Sequence, residues 1–123
     1  MAKKIVLMED EELIISLLQK KLTKEGYDVI IARDGEEGLK LMQKEKPDLV
    51  LLDIIMPKKG GFEVMEEIAN DKLLKNTPII IISNSGQPVE LGKAKQLGVK
   101  DWVIKVEFDP EEVVDKVKKQ IGK

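Results

Sequence analysis

At 123 residues the chain has room for one hydrophobic core and not for two. Charged residues make up 36% of it, but 21 basic side chains nearly cancel 23 acidic ones, so no global field draws it to nucleic acid or to an anionic membrane. It has no Cys and no His, which excludes a disulfide framework, a thiol nucleophile, imidazole catalysis and most zinc sites.

The first apolar run, Ile5-Val6-Leu7-Met8, follows Met1-Ala2-Lys3-Lys4 and is far too short for a signal peptide or a membrane span. It suits a strand over residues 4–8, and the expectation is a cytoplasmic protein. The acidic run Glu9-Asp10-Glu11-Glu12 then opens a helix whose inward stripe is read as Leu13, Leu17, Leu18 and Leu22, with Gly26 at its end. A second strand is expected near residues 27–32, followed by a helix carrying Leu39 and Met42. Pro47 precedes a third strand near 48–53, in which Leu49-Val50-Leu51-Leu52 runs into Asp53. The stretch Ile54-Ile55-Met56-Pro57-Lys58-Lys59-Gly60-Gly61 reads as a loop.

Pro78 sits at the start of a fourth strand near 77–83, where four isoleucines end in Ser83. Gly98 fits a helix end, and the fifth strand near 100–105 runs through Trp102-Val103-Ile104 to Lys105. Asp109-Pro110-Glu111-Glu112 supplies an N-cap, a first-turn proline and a third-position glutamate for a last helix with Val113, Val114, Val117 and Ile121 on its inner face. Strands of continuous apolarity are buried on both faces, so the pattern is (βα)5, an α/β chain of one domain over residues 1–123 with helices on both sides of a parallel sheet.

Four of these runs end in reactive polar residues. In a parallel sheet Glu9, Asp10, Asp53, Ser83 and Lys105 all emerge at the carboxyl edge, where open α/β folds hold ligands. A carboxylate there can attack phosphorus to form an acyl phosphate, and Asp53 is the candidate nucleophile. Glu9 and Asp10 brought near Asp53 call for a hard divalent cation, and magnesium suits the set because it takes oxygen ligands and bridges carboxylate to phosphate. Lys105 would pair with Asp53 at rest and with phosphoryl oxygens afterwards. The Ser83 hydroxyl either donates to a phosphoryl oxygen or satisfies its strand end. Trp102 either packs in the core on the same face as Ile104 or presents a movable indole.

As a set, the acid pair after the first strand, Asp53 with Met56-Pro57 and a glycine loop, Ser83 and Lys105 resemble the receiver domain of two-component response regulators. The resemblance covers essentially the whole chain. It implies a flavodoxin-like three-layer sandwich with strand order 2-1-3-4-5. It also implies that Asp53 takes a phosphoryl group from a phosphohistidine on a sensor histidine kinase or a histidine phosphotransfer protein, with intrinsic self-phosphorylation and autodephosphorylation chemistry rather than enzymatic turnover. Asp10 and Asp53 would hold Mg2+ directly, Glu9 through water, and the backbone carbonyl of Ile55 would be a further ligand.

By the same resemblance, Ser83 and Trp102 form a switch that remodels a face for an unknown downstream protein, with a homodimer through that face as a further option. Three residues depart from the family pattern. Val106 stands where a proline usually follows the lysine, so a trans Lys105-Val106 peptide is expected. Asn84 stands where a small residue is usual, and Trp102 where a smaller aromatic is.

Two other phosphate-handling folds fit less well. A haloacid-dehalogenase-type phosphatase would want an aspartate where Ile55 stands, and a nucleotide-binding fold would not place Glu9 and Asp10 after its first strand. The competing reading is a receiver-like docking module that works without phosphorylation.

Overall fold

The computed structural model describes residues 2–83, 88–105 and 109–122. The Lys105-Val106 peptide and Asn84 fall outside these residues. Five strands, β1 (Lys4–Met8), β2 (Asp28–Ala32), β3 (Leu49–Asp53), β4 (Ile79–Ser83) and β5 (Val99–Ile104), alternate with five helices, α1 (Glu12–Lys24), α2 (Gly35–Glu45), α3 (Gly61–Ala69), α4 (Pro88–Gln96) and α5 (Pro110–Ile121). The strands form one parallel sheet in the order β2-β1-β3-β4-β5. Each expected strand is present to within two residues, and Lys105 lies just past β5 rather than within it.

Alternation along the strands splits the core into two layers. Ile5, Leu7, Leu49, Leu51, Ile80, Ile82 and Val103 pack against Ile14, Leu18 and Leu22 of α1 and Val113, Val114 and Val117 of α5. Val6, Met8, Val50, Leu52, Ile79 and Ile81 face α2, α3 and α4 through Leu39, Met42, Val64, Met65, Ile68 and Ala94. This is the three-layer sandwich expected from the resemblance.

The stripe read for α1 needs correction. Ile14 and Ile15 are buried with Leu18 and Leu22, whereas Leu13 is 73% exposed and Leu17 is also outward. The segment offers apolar residues at 13, 14, 15, 17, 18 and 22, and the row 14-18-22 at i, i+4, i+8 is the one that meets the sheet.

Local chemistry sets the element limits. Gly26 and Gly98 take φ of +98° and +90° where α1 and α4 give way to strands, conformations that favour glycine. Asp109 caps α5 by accepting from the Glu111 N–H at 3.0 Å, and Asp34 caps α2 by accepting from Glu37 N–H at 2.8 Å. The β4–β5 ladder shifts between Ile79 and Ile80, pairing Ile79 with Val99 but Ile80 with Asp101. Beyond the shift, Trp102 pairs with Ile81 and lies half-buried against the α2–α3–α4 layer, while Val103 faces the other layer. Trp102 is thus packed against the core, as a half-buried rather than a fully buried side chain.

Candidate phosphoryl-acceptor site

Asp53 closes β3 at the centre of the sheet, and Glu9 and Asp10 follow β1, its hydrogen-bonded neighbour. The strands on either side fix their relative positions. Glu9 is fully buried, Asp53 is nearly so, and Asp10 is exposed. One carboxylate oxygen from each of the three lies within 4.8 Å of the others. At that spacing two carboxylates repel by about 3 kcal/mol at an effective dielectric of 20. Something must offset this.

Part of the offset is Lys105, which reaches back from the end of β5. Its ammonium stands 3.0 Å from Asp53 Oδ2, 2.9 Å from Glu9 Oε1 and 3.3 Å from Glu11 Oε1. The expected pairing of Lys105 with Asp53 is present, and the contacts to Glu9 and Glu11 were not legible in the sequence. Burial alone would lower the lysine's pKa, but its hydrogen bonds to Glu9 and Asp53 outweigh that and raise it above the ordinary lysine range. The ammonium is therefore held charged.

Glu9 is the costly member. Burial pushes its carboxyl up to about 7, against the lowering by hydrogen bonds from Lys105 and from the Glu11 N–H. Its Oε2 accepts from the Asp10 and Glu11 backbone N–H groups at 3.0 and 3.1 Å and from Lys105 at 3.0 Å. Its Oε1, although close to the ammonium, has no aligned hydrogen bond. A buried oxygen without a donor, beside two further carboxylates in an all-oxygen set, fits a hard divalent cation or its water shell.

These groups open onto a cleft of about 200 Å3 lined by Asp10, Glu11, Asp53, Ile55 and Lys105. Ile55 is 75% exposed at its mouth, and its N–H donates to Asp53 Oδ1 at 3.3 Å. The loop beyond is closed by the Gly61 N–H donating to Ile54 O at 2.7 Å. A Cβ at Gly61 would come within 2.6 Å of Ile54 Cα and 2.8 Å of Asp53 O, so only glycine fits. Ser83 is buried as the last residue of β4, one position past Ile82, which pairs with Asp53. Trp102 lies away from the cleft, beside a groove it shares with Leu91, Ala94 and Val99.

A buried carboxylate, a charged ammonium and an acid cluster at one sheet edge have a counterpart among known proteins. The model of the response regulator receiver domain matches residues 5–118. The chain belongs to that family. A receiver domain is a signalling domain of two-component systems, and the comparison with individual receivers agrees.

The chain is 42% identical over 118 residues to the alkaline phosphatase synthesis transcriptional regulatory protein PhoP of Bacillus subtilis, covering 96% of this chain and 48% of that protein. It spans about half the length of the curated relatives it matches. Among solved structures, the phosphorylated cyanobacterial phytochrome response regulator RcpA superposes with a TM-score of 0.86 at 30% identity, covering 98% of this chain and 94% of that one. The Mn(2+)-bound form of response regulator Rcp1 gives 0.83 at 28% identity, covering 95% and 92%. No helix among the described residues is long and apolar enough to cross a membrane.

Proposed function

We propose that this receiver, acting as one unit over residues 1–123, accepts a phosphoryl group on Asp53 from a phosphohistidine of a sensor histidine kinase or histidine phosphotransfer protein in the cytoplasm. The observation that carries the reading is the meeting at one sheet edge of Asp53, the Lys105 ammonium at 3.0 Å and the carboxylates of Glu9 and Asp10. The family's phosphorylated and Mn(2+)-bound relatives support it.

In the transfer an Asp53 carboxylate oxygen attacks phosphorus, the bond from phosphorus to the donor imidazole nitrogen breaks, and that nitrogen leaves with the electron pair. Lys105, already charged and 3.0 Å from Asp53 Oδ2, is within reach of a phosphoryl oxygen once the acyl phosphate forms. Ser83, buried at the end of the neighbouring strand, supplies a second donor. Asp10 and Asp53 directly, Glu9 through water and the Ile55 carbonyl are the residues that would hold magnesium. Bound there, Mg2+ supplies the charge that offsets the repulsion between the acids and an incoming phosphate.

Small phosphate anhydrides are expected to label the chain as well, and water to remove the group again. The new contacts from Ser83 and Lys105 bias Trp102 and the α4–β5–α5 face, which then binds a downstream protein or a second copy of the chain. Incubation with acetyl phosphate and Mg2+ should add one phosphoryl group by mass, and Asp53→Asn should abolish it. A wild-type chain that stays unlabelled under these conditions and with a phosphorylated histidine donor points to a docking module instead.

A further inference from the structure

Glu11 occupies the N-cap of α1 but does no capping: its φ and ψ of −82° and 111° are those of a cap residue, yet its side chain accepts nothing from the first turn. Ser, Thr, Asp and Asn are the residues that cap, because a short side chain reaches the N2 or N3 amide. Here the longer glutamate turns away from its helix and places Oε1 3.3 Å from the Lys105 ammonium, on the lining of the acceptor cleft.

An ammonium has three donors and no acceptor. Among the described residues three carboxylates partner Lys105 at rest: Glu9, Asp53 and Glu11. A phosphoryl oxygen that needs this ammonium must displace one of them. Glu9 is fully buried and cannot swing away, and Asp53 keeps its charge and its hold on the ammonium until its oxygen carries the phosphoryl group, so during the approach the free donor must come from elsewhere. Glu11 has the longest of the three contacts, and its side chain is 53% exposed, so water can solvate it on release.

We propose that Glu11 is a positioning residue that holds, in the resting site, the Lys105 donor later taken by a phosphoryl oxygen, and so slows phosphoryl acceptance. The inference rests on the phosphoacceptor reading of Asp53. A carboxylate attracts the ammonium as one full charge attracts another, whereas an amide oxygen offers only a dipole, so glutamine at this position competes less. Because neither residue caps the helix, the exchange leaves α1 intact.

The test is the second-order rate of labelling by acetyl phosphate with Mg2+ for wild type, Glu11→Gln, Lys105→Ala and the double variant, with Asp53→Asn alongside. Glu11→Gln should label about three- to tenfold faster at an unchanged melting temperature, and the ratio should fall to about one in the Lys105→Ala background. Where Lys105→Ala labels too slowly to time, the ammonium nitrogen resonance of Lys105 takes its place and should shift on Glu11→Gln. A Glu11→Gln chain no faster than a wild type that labels on Asp53 overturns the inference alone. So does an acceleration undiminished without Lys105, or an unmoved resonance. Wild type that takes no phosphoryl group, or Asp53→Asn that still does, overturns the parent reading and this one with it.

Discussion

The central strand and the last strand of the same sheet are built to different standards. All five residues of β3 are buried, while of the six in β5 only Val103 is. The helices follow suit: α5 buries Val113, Val114 and Val117, whereas among the described side chains of α4 only Ala94 is buried, and Lys93 over the Phe62 ring at 4.7 Å ties that helix to α3. Asp53 stands on the dense part and Lys105 hangs from the sparse part. Elements with few buried apolar contacts open at lower free energy. The charge contact between Lys105 and Asp53 therefore joins the densely packed part of the sheet to the sparsely packed one.

The largest effect should come from the dense part. Leu51→Ala removes a fully buried side chain between β3 and the α1–α5 layer and should cost about 3–5 kcal/mol in urea unfolding. Leu91→Ala, on half-buried α4, should cost well under half of that; equal costs would break the comparison.

The acid cluster gives the next effect. Glu9 has its folded pKa raised from 4.5 to about 7, so the native state binds the extra proton and stability is lost as pH rises between those values. The loss is at most about 3 kcal/mol. Lys105, whose folded pKa is raised, contributes stability that is complete below 10.5 and so does not titrate in this window. Urea midpoints from pH 4.5 to 7 should fall more steeply for wild type than for Glu9→Gln, and Mg2+ should remove the difference. Parallel curves without metal would show that burial of Glu9 carries no such cost.

Trp102 is the only tryptophan, so its fluorescence reports on the sparse part alone. Acetyl phosphate with Mg2+ should change its emission in wild type and not in Asp53→Asn. An unchanged spectrum on a labelled chain would locate the switch elsewhere. The smallest effect is Lys93→Ala, which should cost about 0.5–1 kcal/mol and speed amide exchange in α4 while leaving β3 unaffected.

Strands were legible because continuous apolar runs have one outcome in a chain too short for membrane spans, and their polar ends gave Asp53, Asp10, Glu9 and Lys105 a common edge. The inner face of α1 was not, because three apolar residues in a row present competing stripes and only contact with the sheet selects one. The roles of Glu9 and Glu11 as partners of Lys105 escaped for a different reason. An acidic run at a helix start reads as dipole complement, and nothing local says that Glu9 is buried or that Glu11 reaches Lys105. The structure shows the reason: Glu11 stands at the N-cap without capping and reaches Lys105 instead.

Close packing at Gly61 ties the start of α3 to the end of β3, where Asp53 stands. The ring closed by the Gly61 amide on Ile54 O has a circumference fixed by a missing methyl group, so the start of α3 and the direction of the Asp53 carbonyl are a single geometric unknown. Substitution along this turn is consequently lopsided: the Lys58 side chain is exposed, while one carbon added at Gly61 moves the backbone of Asp53 itself.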